Sequence, residues 1–149
     1  MVAPTDLREY LVGGSSTATP GRVLCNARNH HFIVDGPIQN GFPGEEITPP
    51  EAFLCGVAAC GVELVQMFAA QQELPLQSVK ITLNATLDRG NPVRTDYTVF
   101  NKVHLDVRVK GVTQEQGEQL VDAFTHRCPL FGSVAVATPV VQIEVTAED

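Results

Sequence analysis

Stretches in which hydrophobic and polar residues alternate mark the predicted β-strands of this chain. Apolar residues occupy every second position in residues 79–87 and 103–109, and again in residues 141–145, as in strands with one buried face. The alternation in residues 22–34 is less regular and predicts a strand with a bend or bulge midway. Residues 13–21 are rich in Gly, Ser, Thr and Pro, which predicts a loop or hairpin connection before that strand.

Residues 52–70 are apolar on nearly every side of a helical projection, with Glu63 and Gln66 as the exceptions. A helix with no solvated face is either buried or crosses a membrane. The central glutamate and the alternating strands that follow favour burial over membrane insertion. Thr48, followed by two prolines, marks the predicted start of this helix. The pattern therefore predicts a long, buried central helix.

A second, amphipathic helix is predicted to begin after Thr113. Gln116 stands three residues after this cap, which is the spacing of a capping box. Pro129 is expected to end the helix. The side chains predicted to face the core are Leu120, Val121, Ala123 and Phe124.

The predicted element order is strands, a long helix, two strands, a shorter helix and a strand. This order defines an α+β fold with an antiparallel sheet wrapped on the central helix. A chain of 149 residues with 44% hydrophobic content is long enough for one domain with a sizeable core, so residues 1–149 are assigned to a single domain. Because one curved sheet does not cover an apolar helix on every side, we expect a second subunit to cover the rest in an intertwined homodimer.

The charge of the chain argues against nucleic acid and membrane surfaces as partners. The chain has 10 Lys and Arg residues against 17 Asp and Glu, a formal net charge of -7, whereas both partners attract clustered positive charge. The first 16 residues lack the basic and apolar segments of a secretion signal. A cytoplasmic location is therefore expected.

The candidate reactive groups are four cysteines. They are Cys25, Cys55, Cys60 and Cys128. No two of them have Cys-x-x-Cys spacing and the cytoplasm keeps thiols reduced, so neither a disulfide framework nor a zinc or thioredoxin-type site is predicted. His30 and His31 are adjacent and point to opposite faces of a strand. We therefore predict no metal site, and no cofactor.

The start of the central helix resembles a motif of a known family. Pro49-x-Glu51-x-x-Leu54, followed by Cys60, is similar to the P-x-E-x-x-L-x-x-x-x-x-C signature of the OsmC and organic hydroperoxide resistance (OsmC/Ohr) proteins. In that family the signature opens the central helix, which is where the hydrophobic pattern places it here.

Two further motifs carry the same resemblance. Cys128-Pro129-Leu130, 68 residues after Cys60, resembles the family's Cys-Pro-Val element. Residues 31–37 are similar to the H-x-x-x-x-D-x-P strand end of a less characterised OsmC-like branch. The two cysteine motifs and the matching element order together make the resemblance specific.

The resemblance implies the OsmC-like fold and a thiol-dependent peroxidase that reduces organic hydroperoxides. It assigns Cys60 as the thiol that attacks the peroxide and becomes a sulfenic acid, and Cys128 as the resolving thiol that then forms a disulfide with it. It also implies a dithiol reductant, which is of the lipoyl type in related enzymes. The predicted position of Cys128 at a helix C-terminus suits a resolving role, because the helix dipole disfavours an anion there.

Two other interpretations stay open. A non-catalytic OsmC-like protein would bind an apolar small molecule at the dimer interface without turnover. A purely structural dimer would hold Cys60 and Cys128 as small buried core residues, which is the commonest fate of free cysteines.

The family resemblance also implies that Glu51 serves the site by holding an arginine that activates Cys60. Nine helical residues put Glu51 and Cys60 about 13 Å apart on opposite faces, so they cannot meet within one straight helix. Either the loop of Glu51 folds back or Glu51 reaches the Cys60 of the other subunit, and we favour this second arrangement. The predicted substrate pocket is apolar, lined by Phe53, Leu54, Val57 or residues of the partner's helix, and suits bulky organic peroxides.

Several groups are left without an assigned role. Neither Arg22 nor Arg28 lies in the Gly-Arg-x-Gly context of the Ohr branch, so the activating cation is unassigned. Glu63 is interpreted either as a second polar group of the site or as a residue at the dimer surface, and the second is favoured because a buried carboxylate needs a partner. Cys25 and Cys55 fit no motif and are interpreted as packing residues.

Overall fold

The computed structural model describes residues 7–149. The expectation about a secretion signal rests partly on residues 1–6, which lie outside the described residues. The chain divides into two compact units, and the boundary between them in the sequence lies between Phe53 and Leu54. The assignment of the whole chain to one domain stays a prediction.

The first unit contains a three-stranded antiparallel sheet. Its strands are β1 (Val12–Ser16), β2 (Arg22–Ala27) and β3 (His30–Asp35), in the order β1-β2-β3. The single bent strand predicted for residues 22–34 is wrong, because the chain reverses there in a tight hairpin. Arg28 makes this turn possible by adopting a left-handed conformation with φ 55°. The hairpin predicted before β2 is confirmed, although its first residues belong to β1 itself.

An ion pair between the partly exposed Arg22 and the buried Asp35 joins this sheet to the loop that follows it. The Arg22 guanidinium donates to both carboxylate oxygens of Asp35 at 2.8 Å, and Asp35 is fully buried. The backbone N–H groups of Glu45 and Glu46 donate to Asp35 Oδ2 at 3.1 Å. Hydrogen bonds from Arg22 and from these two N–H groups hold the pKa of Asp35 well below its usual range. The loop containing the 3-10 turn Ile38–Asn40 is thereby tied to the sheet.

The second unit contains a mixed three-stranded sheet and two short helices. The strands are β4 (Ser78–Thr86), β5 (Lys102–Lys110) and β6 (Val140–Glu148), in the order β4-β5-β6. Helices α2 (Gln114–Arg127) and α3 (Pro129–Ala135) connect β5 to β6. The β4–β5 pair is antiparallel, as predicted, whereas β5 and β6 are parallel. Only β6 departs from the predicted antiparallel sheet, because the helices between β5 and β6 carry the chain back along the sheet, so that β6 runs beside β5 in the same direction.

The hydrophobic core of the second unit is built on β5. One face of this central strand is completely apolar and almost inaccessible to solvent, and α2 covers it with the residues that the amphipathic pattern predicts. The capping box at the start of α2 is also confirmed, since Gln116 N–H donates to Thr113 Oγ1 and Thr113 N–H to Gln116 Oε1. The core residues of the two elements are Val103, Leu105, Val107 and Val109 on β5 and Leu120, Val121 and Phe124 on α2.

The long apolar helix α1 (Pro49–Gln71) begins after Thr48, as predicted. Val57, Gly61 and Val65 on one of its faces are buried in the core, while Glu63 on the opposite face is exposed. Among the described residues α1 is the one helix long and apolar enough to cross a membrane, yet it contributes to a globular core and 22% of its apolar window is buried. One copy of the chain therefore buries only one face of α1. The prediction was that α1 is buried on every side.

Candidate active site

Cys60 lies in the middle of α1, beside a point of very close helix contact. The next residue, Gly61, is buried, and a methyl group added to it would lie 2.5 Å from Ile81 Cδ1 and 2.9 Å from Phe124 Cζ. The missing side chain therefore lets α2 approach α1 at the level of Cys60. Cys128 follows Phe124 by one turn, and its backbone N–H donates to the Phe124 carbonyl at 2.9 Å. This approach brings the second cysteine next to the first.

Cys128 occupies the junction of two helices. It is the C-cap of α2 and also the N-cap of α3, and its Sγ accepts a hydrogen bond from Phe131 N–H at 3.3 Å. The sequence pattern predicts only the end of α2 at this position, and the unfavourable helix dipole expected at Cys128 leaves out the start of α3. Pro129 was a usable signal for the second helix, because proline is favoured at the first helical position.

The two sulfur atoms are in direct contact. Cys128 Sγ lies 2.7 Å from Cys60 Sγ although the residues are 68 apart in the chain, and both cysteines are free thiols. Cys60 is half-buried, whereas Cys128 is only 3% exposed. Oxidation of this pair to a disulfide requires little movement, and an external reagent reaches Cys60 more readily than Cys128.

The surroundings of Cys60 favour its protonated form. Burial raises the pKa of the Cys60 thiol, and the neighbouring Cys128 and the Glu63 carboxylate raise it further. Among the described residues, no cation contributes an opposing effect on this thiol. The thiolate, which is the nucleophilic form, is therefore disfavoured unless a further group supplies positive charge or hydrogen bonds.

Glu51 occupies the first turn of α1. Its Oε2 accepts a hydrogen bond from the Thr48 backbone N–H at 2.7 Å, and this bond lowers the pKa of the Glu51 carboxyl. In the described chain Glu51 therefore stabilises the start of the helix. Its membership of an active site stays a prediction.

The two arginines considered as activators have different surroundings. Arg22 is paired with Asp35 and also donates to Glu45 Oε2 at 2.8 Å, so two carboxylates compensate its charge. Arg28 lies in the β2–β3 turn. These contacts identify neither arginine as the cation that activates Cys60.

Two expectations about apolar residues of α1 are wrong. Val57 is 1% exposed and belongs to the core, so it does not line an open pocket. Cys55 is exposed in the chain, so it is not a packing residue of this subunit, whereas Cys25 is half-buried in β2. Both errors arise because the sequence shows that the helix is apolar without showing which face the chain covers.

Replacing Gly61 by Ala is expected to push α1 and α2 apart and to separate the two thiols. The added methyl overpacks the contact with Ile81 and Phe124, which costs about 1–3 kcal/mol of unfolding free energy. We expect slower formation of the Cys60–Cys128 bridge with diamide, measured by peptide mapping of samples quenched with acid.

The matched control for this substitution is Gly132→Ala on α3, where an added methyl meets open space. This variant should keep the parent rate of bridge formation and the parent urea midpoint. Equal bridge formation in both glycine variants would show that Gly61 does not set the position of Cys128.

The chain belongs to the OsmC-like protein family, whose sequence model matches residues 42–144. The matched range contains both Cys60 and Cys128 and most of the secondary structure described above. Among curated protein sequences, none matches the chain.

Solved structures share the fold over nearly the whole chain. An OsmC-like protein from Mycoplasma pneumoniae has a TM-score of 0.82 at 15% identity, covering 97% of this chain and 100% of that one. An organic hydroperoxide resistance protein OsmC from Legionella pneumophila has a TM-score of 0.73 at 19% identity, covering 97% and 100%. An organic hydroperoxide resistance protein from Elizabethkingia anophelis has a TM-score of 0.69 at 16% identity, covering 96% and 97%. At these identities the likeness establishes the α+β OsmC-like fold alone.

Proposed function

We propose that this protein is a thiol-dependent peroxidase that reduces organic hydroperoxides through Cys60 and Cys128. The observation that carries the proposal is the 2.7 Å contact between the two thiol sulfurs, one half-buried and the other buried. Membership of the OsmC-like family and the likeness to two organic hydroperoxide resistance proteins support a role in peroxide chemistry.

In the first step the Cys60 thiolate attacks the outer oxygen of the hydroperoxide. An S–O bond forms while the O–O bond breaks, and the alkoxide takes up a proton and leaves as an alcohol. Cys60 is left oxidised as a sulfenic acid. Because Cys60 is the more accessible thiol of the pair, it is the sulfur that a peroxide reaches first.

In the second step the Cys128 thiolate attacks the sulfur of the Cys60 sulfenic acid. An S–S bond forms, the S–O bond breaks, and the hydroxyl group leaves as water after taking up a proton. The short distance between the sulfurs favours this step over further oxidation of Cys60, because the resolving thiol is already in place.

In the third step a dithiol, of the lipoyl type in related enzymes, reduces the disulfide. One thiolate of the reductant attacks the sulfur of Cys60, the more accessible of the two, and Cys128 leaves as a thiolate. The Phe131 N–H, 3.3 Å from Cys128 Sγ, stabilises the negative charge that develops on this leaving sulfur. The second thiol of the reductant then displaces Cys60, which restores both protein thiols.

The proposed working form is a homodimer in the reducing cytoplasm. The exposed face of α1 carries Cys55, Ala59 and Met67, and a second copy of the chain would remove this apolar surface from water. Such an interface would also allow Glu51 of one copy to approach the Cys60 site of the other, together with the cation that the raised pKa of Cys60 demands.

Mass spectrometry of the reduced protein after one equivalent of cumene hydroperoxide tests the proposed function. We expect a loss of two hydrogens from the 16.1 kDa chain, about 2 Da, and a peptide that links Cys60 to Cys128. The same sample under native conditions should show twice the chain mass. An unchanged mass of folded, reduced protein would refute the peroxidase and favour a protein that binds an apolar small molecule without turnover.

A further inference from the structure

A side chain of α3 occupies the space beside α1 one turn before the reactive thiol. Gly56 has no side chain, and the point where its Cβ atom would stand lies 3.3 Å from Leu130 Cδ2. Apart from α1 itself, no other atom of the described residues lies within 4 Å of that point. Gly56 precedes Cys60 by four residues, so the two are neighbours on the same side of the helix. Leu130 is therefore the wall that the described chain provides on this side of Cys60.

Two further contacts hold the first turn of α3 in this position. Cys128, two residues before Leu130, places its Sγ 2.7 Å from Cys60 Sγ. Phe131, the residue after Leu130, is buried and packs against Phe124 of α2 with 5.5 Å between the ring centroids. The start of α3 is thus attached to the core by Phe131 and to α1 at two successive turns, by Cys128 at Cys60 and by Leu130 at Gly56.

We propose that Leu130 limits the size of the organic group that the Cys60 site accepts, by occupying the space over Gly56 beside the reactive sulfur. The inference deepens the proposed function and rests on it for the reaction with a peroxide. Leu130 is 38% exposed in the single chain and Gly56 is half-buried, so the protein fills this space only in part. The part that remains is apolar on both sides, which suits a hydrocarbon group.

The position of Leu130 is set within one chain. The contact of Leu130 with α1 at Gly56 is already present in a single subunit, and a second copy over the exposed face of α1 would add walls of its own to the same space. The proposed role depends on the volume that Leu130 occupies beside Cys60 and not on its exposure to solvent.

The size of this side chain has a direct chemical consequence. When the outer oxygen of a hydroperoxide reaches Cys60 Sγ, its organic group is attached to the next oxygen and must lie within a few ångströms of α1. A large group that extends toward Gly56 meets Leu130, whereas a small group does not. A hydrophobic site discriminates by about ten-fold or more for each methylene that it excludes. Valine, which the family's Cys-Pro-Val element has at this position, would leave more room than leucine does.

A series of side-chain sizes at position 130 tests this inference. The rate of Cys60–Cys128 bridge formation is measured with tert-butyl hydroperoxide and with cumene hydroperoxide, in which a phenyl ring replaces one methyl group. Their ratio at one pH cancels the thiolate fraction. We expect Leu130→Ala to raise the cumene to tert-butyl ratio about ten-fold, Leu130→Val to raise it less, and Leu130→Phe to lower it. A ratio that does not follow side-chain size would overturn the inference.

The matched control is Val136→Ala, which shortens an 88% exposed side chain at the other end of α3. This variant should keep the parent ratio, and a rise equal to that of Leu130→Ala would overturn the inference by revealing a general loosening of α3. Gly56→Ala fills the same space from the α1 side and should lower the ratio, as Leu130→Phe does. Circular dichroism reports whether each variant folds, and Gly56→Ala decides the outcome if Leu130→Ala does not.

A second readout separates this inference from the proposed function. N-methylmaleimide and N-phenylmaleimide add to the Cys60 thiolate by the same reaction and differ in the size of one group. Leu130→Ala is expected to raise the N-phenyl to N-methyl rate ratio at Cys60, measured by quantitative peptide mapping. If neither peroxide oxidises Cys60 while the maleimide ratio follows side-chain size, the peroxidase fails and the size limit stands. If both peroxides oxidise it and neither ratio responds to Leu130→Ala, the peroxidase stands and the size limit fails.

Discussion

Replacing Cys60 by Ser is expected to abolish the reduction of organic hydroperoxides. A serine hydroxyl in the same place is a far weaker nucleophile than a thiolate and forms no sulfenic acid. The rate of cumene hydroperoxide consumption with excess dithiol should therefore fall by a factor on the order of a thousand or more, to the uncatalysed background. Consumption is measured by assaying the remaining peroxide in timed samples.

The other cysteine variants make this prediction specific. Cys128→Ser should react once with peroxide and then hold Cys60 as a sulfenic acid, detected with dimedone, because the resolving thiol 2.7 Å away is missing. Cys55→Ser is the matched control, since Cys55 lies on the same helix and is exposed. It should retain parent turnover. Full activity in Cys60→Ser, or dimedone labelling that maps to Cys55, would rule out the assigned roles.

Replacing Asp35 by Asn is expected to cause the largest loss of stability among polar substitutions in the first unit. Asp35 is fully buried, and its carboxylate accepts two hydrogen bonds from Arg22 and two from backbone N–H groups of the following loop. The neutral amide removes one of the two negative charges that compensate the guanidinium and one of the two Asp35 oxygens that accept hydrogen bonds from it. We expect the melting temperature to fall on the order of 10 °C, measured by circular dichroism.

The exposed pair Arg94–Asp96 provides the control, because Asp96→Asn removes the same kind of two-point contact at the surface. Surface ion pairs contribute little to the free energy of unfolding. The Asp96→Asn variant should therefore melt within a few degrees of the parent. If Asp35→Asn melts no lower than Asp96→Asn, the Arg22–Asp35 pair does not hold the loop to the sheet.

The stabilisation by Asp35 also has a defined pH dependence. Its folded pKa lies below the unfolded value of about 3.9, so the unfolded state binds a proton more readily. The stabilising contribution is present in full above the unfolded pKa and is lost as the pH falls from there through the folded pKa. Between pH 7 and pH 5 the difference in stability between the parent and Asp35→Asn should stay constant, and below about pH 4 it should shrink.

Periodic hydrophobic patterns predicted most helices and strands, because these elements depend on the order of polar and apolar residues within a short segment. Strands β4 and β5 follow from strict alternation, and the cap of α2 follows from Thr113 and Gln116. The hairpin at Arg28 and helix α3 were missed. The first requires a left-handed backbone at a residue that rarely adopts it, and the second begins at a proline that was interpreted only as a helix end.

The sequence by itself determined the family and the two candidate thiols, because motifs and spacing are properties of the chain order. It also determined that α1 is apolar on nearly every side. Only the tertiary structure decided which face of α1 the chain covers and that the Cys60 and Cys128 sulfurs touch. It likewise decided that Asp35 is the buried partner of Arg22. Contacts between residues far apart in the chain depend on how closely packed elements approach, as at Gly61, and no local pattern encodes that distance.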